Sequence, residues 1–152
     1  MNIFVLSLDP KEAAVLQMDA HVVKMTLETL QLLSSAANFT GGHGPYKDSH
    51  VNHPCAIWAR ASTQNFGWLR MHGLALGKEY KYRYGKIHKC YPLIADIKPG
   101  PNMPDLPRTP FAQAMPDEYK NEDVVKAYRA YYLTKSPFAR WTKRNRPDWF
   151  PL

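Results

Sequence analysis

Met18–Leu30, MDAHVVKMTLETL, is the stretch whose reading decides the fold. It holds no proline or glycine, and its apolar residues recur at three- and four-residue steps, the period of a helix. At about 100° per residue, Gln17, His21, Lys24, Glu28 and Gln31 fall in one narrow stripe. Val22, Val23, Leu27, Leu30 and Leu33 occupy the opposite side. By period alone this is an amphipathic helix with a solvated polar face. The stripe also sets a lysine one turn and a histidine two turns from a carboxylate. Cations so placed would hold a carboxylate ionised and oriented for acid–base work. Both readings of Glu28, His21 and Lys24 follow from the pattern.

The elements around this helix are also mostly helical. Upstream, NIFVLSL is apolar and β-favouring but isolated, which predicts a short strand or an extended lead-in. In DPKE, Asp9 can cap a helix, Pro10 suits its first turn and Glu12 would complete a capping box. The helical pattern then runs to about Asn38, with a break near Asp19. The loop FTGGHGPYKDSHVNHP follows, and Pro54 opens a second helical stretch from Cys55 to about Tyr84, stopped at Gly85. YPLIADIKPGPNMPDLPRTPF is proline-rich and is expected to hold no regular element. A third helix runs from about Asp117 or Asn121 to Leu133, and an aromatic, basic tail closes the chain. The expected fold is mainly α: a compact single domain over residues 1–152, with long irregular connections and a short extended N-terminal segment.

Length and composition bound the class. A chain of 152 residues can bury ~70% of its unfolded surface, so it needs no staples. Two cysteines, Cys55 and Cys90, make no disulfide framework. The N-terminal stretch lacks the preceding positive charge of a signal peptide, and no apolar run approaches the roughly 20 residues that span a bilayer. The expectation is a cytoplasmic protein without membrane association. His50, His53 and Cys55 have the spacing H-x2-H-x-C, which matches no common zinc site, so no metal ligand is assigned and no cofactor is expected.

The net charge of +7 is unevenly distributed. Val124–Pro147 carries Lys126, Arg129, Lys135, Arg140, Lys143, Arg144 and Arg146 with no acid, and Lys78–Lys89 has five basic residues against Glu79 alone. Tyrosines interleave the second cluster, and Trp141, Trp149 and Phe150 lie in or beside the first. Cations that hold a phosphate backbone, beside rings that stack on bases, suit a nucleic acid. The candidate DNA-contacting residues are Arg60, Arg83, Lys86, His88, Lys89, Arg140, Trp141, Lys143, Arg144 and Arg146, with Trp141 as the stacking or wedge residue. Glu79 and Arg83 also stand at i,i+4, where an ion pair is worth a few tenths of a kcal/mol.

The spacing Asp19-x-His21-x6-Glu28, with a hydrophobic residue directly after the histidine, resembles the active-site helix of the phage pyrimidine-dimer DNA glycosylase (endonuclease V) family. NHPCAIW (52–58) loosely resembles the start of that family's central helix, and RWTKRNRPDWF (140–150) its aromatic–basic C-terminal segment. The resemblance implies a mainly α-helical enzyme that flips a pyrimidine into a basic cleft, with Glu28 as the catalytic carboxylate and His21 beside it. It also implies a nucleophilic terminal amine, which the family takes from a threonine followed by an arginine. This chain reads Met1-Asn2-Ile3, and the bulk of Asn2 should leave Met1 in place. The amine of Met1 or of Lys24 is therefore the candidate nucleophile. Two further readings stay open. One is a phage-type transferase that attaches a small amine or amino acid to an activated hydroxymethyl pyrimidine in DNA, with Glu28 or His21 as general base. The other is a non-catalytic DNA-binding protein.

Overall fold

The computed structural model describes residues 1–151, which form six α-helices and no strand. They are α1 (Pro10–Val15), α2 (Asp19–Phe39), α3 (Pro54–Arg60), α4 (Thr63–Tyr84), α5 (Tyr91–Asp96) and α6 (Val124–Tyr132), with single 3-10 turns at Asp117–Tyr119 and Leu133–Lys135. The fold is mainly α, as the periodicity predicts.

The long central helices α2 and α4 pack on each other. α1 lies against α4, α3 against both long helices, and α5 against their middle. Two glycines on α4 set how close the neighbours come. A Cβ on Gly73 would meet Thr29 Cγ2 at 2.9 Å, and one on Gly77 would overlap the Tyr91 ring.

The N-terminal segment forms neither strand nor sheet. Ile3, Phe4, Val5 and Leu6 run extended through the middle of the core, all nearly inaccessible. With no partner strand, side chains hold this backbone: Arg129 Nε donates to Leu6 O (3.0 Å), and Asn2 bridges Ala114 O (2.9 Å) and the Tyr128 hydroxyl (2.8 Å). Buried backbone polar groups need such partners.

Local signals explain most helix ends. Asp9 accepts from Lys11 N–H, but Glu12 does not close the expected box: its carboxylate accepts from Ser7 Oγ (3.0 Å), which in turn receives the Asp9 N–H (3.2 Å). The break near Asp19 is real, and long-range contacts rather than a local cap satisfy it. Met18 N–H donates to the Tyr132 hydroxyl and Asp19 N–H to Arg140 O. The single helix expected from Cys55 to Tyr84 is two, because Ser62 caps a new start on Asn65 N–H. Gly85, with φ +74°, ends α4 as predicted. The proline-rich stretch does contain a helix, α5, whose Pro92 lies in its first turn, where a missing N–H costs nothing. The third helix starts later than expected, at Val124, capped by Asp123.

The tail packs on the body. Phe150 is buried against Tyr132, Trp141 and Trp149, and Trp141 Nε1–H donates to Leu16 O (2.9 Å). No helix is long and apolar enough to cross a membrane among the described residues.

Candidate functional site

The polar stripe of α2 is only partly solvated. The N-terminal segment lies over Glu28 and His21, and the exposed residues of α2 are Ala20, Val23, Lys24 and Phe39. Gln17 is fully buried and Glu28 is only 8% exposed. What covers Glu28 is residue 1: the Met1 amino nitrogen sits 3.1 Å from Glu28 Oε1. The second carboxylate oxygen, Oε2, accepts no hydrogen bond among the described residues, and its nearest cation is Lys24 Nζ at 3.6 Å. The Lys24 side chain is largely solvent-exposed, so it joins this buried pair to the surface.

Beside this pair stands His53, the N-cap of α3. Its Nδ1 accepts the Cys55 N–H (3.0 Å), which leaves the proton of the neutral ring on Nε2. Partial burial lowers its pKa; the Met1 amine and His50 lower it further, and Glu28 raises it, so the ring lies within electrostatic reach of both members of the pair. Cys55, two residues on, is a buried thiol near Asn2 whose pKa burial pushes up to about 11. Among the described residues no three His, Cys, Asp or Glu side chains converge in a metal-binding arrangement.

His21 occupies a different place. No hydrogen bond or ion pair joins it to Glu28 among the described residues, and seven residues of helix separate them by roughly 10 Å. Its ring stacks on Phe4 (4.4 Å between centroids, 10° between planes) and its Nδ1 meets the Tyr132 hydroxyl at 2.8 Å. That hydroxyl also accepts from Met18 N–H (2.9 Å). Burial, then Lys135 and Lys24, lowers its pKa to about 4, so the ring is neutral near pH 7.

Two of the candidate DNA-contacting residues belong to the core instead. Arg83 has a fully buried side chain: Nε binds Glu79 (3.0 Å), Nη1 binds Asp19 (3.0 Å) and Nη2 donates to Val15 O (2.9 Å). His88 is 8% exposed, bridging Val23 O and the Cys90 N–H. Neither can reach a phosphate. Trp141 is half-buried with its indole N–H bonded, so it cannot act as a wedge. Arg60 is half-buried; its guanidinium lies over the Phe39 ring and donates to Val51 O. Arg144 grips Glu79 through both Nε and Nη2 and lies over Tyr82. Lys86, Lys89, Arg140, Lys143 and Arg146 are exposed.

The Glu79–Arg83–Asp19 network has a consequence beyond its own stability. Arg144 and Thr142 dock the tail onto it, Thr142 through both oxygens of Asp19. The two basic clusters, distant in sequence, thereby meet at the N-terminal end of α2, where Tyr82 also contacts the Lys143 carbonyl. The Lys86–Lys89 segment is tied to α2 by the His88–Val23 bond, and the Lys135–Arg140 loop by the Asp19–Arg140 bond. Both basic clusters are thus tied to the first turns of α2.

Cavities lie elsewhere. One of about 540 Å³ is lined by Gly42–Pro45, Leu93 and Asp96–Pro99. Another, of about 510 Å³, is lined by Pro10, Thr63, Gly67, Met71 and Arg108. Neither includes Glu28.

The pattern of α2 marks Glu28 and Lys24 but gives no sign of His53, which the sequence offers only as a candidate metal ligand. Its place at the head of a helix, directly before Pro54, was the available signal. Comparison of the chain with protein-family models, with curated proteins and with solved structures found no match.

Proposed function

We propose that this chain acts on a pyrimidine base unstacked from DNA, with glycosylase-like chemistry, using the Met1 amine and Glu28. The observation that carries the reading is the 3.1 Å pairing of that amine with a carboxylate that is otherwise almost enclosed. An amine and an acid so placed support nucleophilic catalysis, because the carboxylate can take the proton that the amine must lose before it attacks. The neutral amine then adds to the sugar C1′ as the C1′–N bond breaks. The bonding pair leaves on the base, which takes up a proton. Opening of the sugar ring gives an imine between Met1 and the abasic site. Lys24 would meet the phosphate at the mouth of the site, and the flanking cations would hold the strand. Flipping the base costs a few kcal/mol, least for a damaged or mismatched base.

Borohydride trapping tests this directly. Incubation with abasic-site DNA should give a covalent adduct whose peptide map ends on Met1. The adduct should be lost when a residue is placed before Met1 and strongly reduced in Glu28→Gln. An adduct on Lys24 would assign the nucleophile to that side chain, and no adduct on any residue would remove the glycosylase reading.

The free Glu28 Oε2 also supports a second reading, a DNA base-modifying transferase. Here that oxygen would deprotonate an incoming small amine or amino acid, which displaces the leaving group of an activated hydroxymethyl pyrimidine. Such an enzyme would give no borohydride adduct, yet Glu28→Gln would still abolish amine incorporation into activated DNA.

A further inference from the structure

We propose that Phe138 is the residue that enters the base stack and holds the vacated space while a nucleotide is out of the helix. The proposal rests on the reading above, that the chain acts on an unstacked base in DNA.

Phe138 is 80% exposed, well above the next large hydrophobic side chain, Ile87 at 62%. The other two most exposed rings are held: Phe39 lies under the Arg60 guanidinium, and Tyr82 under Arg144 and near Lys143. Among the described residues, Phe138 makes no ring–ring or cation–ring contact. Covering such a ring removes apolar area from water, a gain of roughly 25 cal/mol per Å².

Its surroundings indicate what covers it. The ring sits at the tip of the loop Lys135–Arg140, which is firmly anchored at both ends. Before it, Tyr132 bonds His21 and Met18; after it, the Arg140 carbonyl receives Asp19 N–H at 2.7 Å. Phe138 N–H closes the turn on Lys135 O (3.0 Å). The ring therefore projects from a fixed base beside the first turns of α2, the helix that carries Glu28. Within the loop, neither Lys135 nor Arg140 has a carboxylate within ion-pair distance among the described residues, and no acid occurs from Val124 to Pro147. Lys135 Nζ lies over the Tyr131 ring (4.8 Å) and Arg140 is exposed, so the apolar ring is bracketed in sequence by two cations without acid partners, as a base step is by two phosphates. Side chains that insert between bases work in this way: the apolar group replaces the lost stacking while cations hold the backbone. Trp141, the wedge expected from sequence, is bonded to the body of the protein, and Phe138, three residues earlier in the same tail, is the free ring.

The test uses a duplex with a tetrahydrofuran abasic site opposite 2-aminopurine, whose fluorescence rises when it unstacks. Wild-type protein should raise the signal several-fold. Phe138→Ala should lose most of that rise and bind the duplex roughly five- to a hundredfold more weakly. Its salt dependence should be unchanged, since no charge is removed. Phe138→Trp should restore both properties, and the new indole should be quenched on binding. Lys135→Ala should instead lower the salt slope by about one phosphate contact. Phe138→Ala indistinguishable from wild type in signal and affinity overturns the proposal while leaving the reading of Glu28 intact. A ring needed for binding anionic phosphatidylserine vesicles, with DNA binding unaffected, overturns it too. Wild-type protein with no affinity for the duplex removes the DNA reading itself.

Discussion

Acid should weaken this fold through two histidines, and the size of the effect follows from where they sit. His72 is buried in the middle of α4, where its Nδ1 meets Pro10 O (2.9 Å) and its Nε2 meets Gln17 Nε2 (3.1 Å), with the Trp68 ring stacked on it. Pro10 O can only accept and the Gln17 amide can only donate, so the ring is neutral with its proton on Nδ1. Burial lowers its pKa from 6.5 to about 4, and His21 is lowered to about the same value by burial and by Lys135 and Lys24. In the unfolded chain both rings protonate near the ordinary value. Their contribution is therefore complete above about pH 6.5 and is lost as pH falls toward 4, because the unfolded chain then binds more protons. Between about pH 7 and about pH 5 each ring should cost about 2 kcal/mol, so the pair removes about 4 kcal/mol from a total typically of 5–15. His53 and His88 shift in the same direction and add to the loss. Urea unfolding at the two pH values measures this. His21→Gln should remove about half of the difference. Stability at pH 5 within about 1 kcal/mol of that at pH 7 would refute the placement of these rings as neutral buried groups.

Glu79→Ala leaves the buried Arg83 with one acid instead of two and releases Arg144, so about 3–5 kcal/mol of stability should go, read as a fall in Tm of roughly 10 °C or more. The same change should loosen the tail, read as faster proteolysis around Thr142. Two of the three glycines on α4 should respond oppositely to alanine. Gly77→Ala forces a methyl into Tyr91 and should cost about 1–3 kcal/mol, whereas Gly67→Ala meets nothing within 4 Å and should stabilise by about 0.5–1 kcal/mol, both measured by chemical unfolding. DNA affinity should fall steeply with salt. Alanine at Lys86, Lys89, Arg140 or Arg146 should each reduce that slope by about one, while His88→Gln should leave it unchanged.

The sequence by itself determined the helical class and most helix ends, though neither α5 nor the break between α3 and α4. Period, proline at first turns and glycine at Gly85 are local signals, and the elements they mark are present in the fold. Local signals also carried Glu28 and Lys24, because residues one turn apart meet whatever the rest of the chain does. What they could not decide was which side of α2 faces water. An amphipathic pattern implies a wet polar face, yet the N-terminal segment covers Glu28 and His21 and leaves Lys24 exposed. The same gap explains Arg83 and His88. In sequence they read as DNA-contacting cations, and only Asp19 and Val23, brought close by the packing of α2 on α4, show that they are internal. It explains Trp141 and Phe138 as well: two aromatic residues three apart in one basic tail, indistinguishable by composition. One is held by a carbonyl on Leu16, the other left in solvent. Period and capping act over a few residues of chain. Burial and exposure are set by segments more than a hundred residues apart, and those meet only in the folded protein.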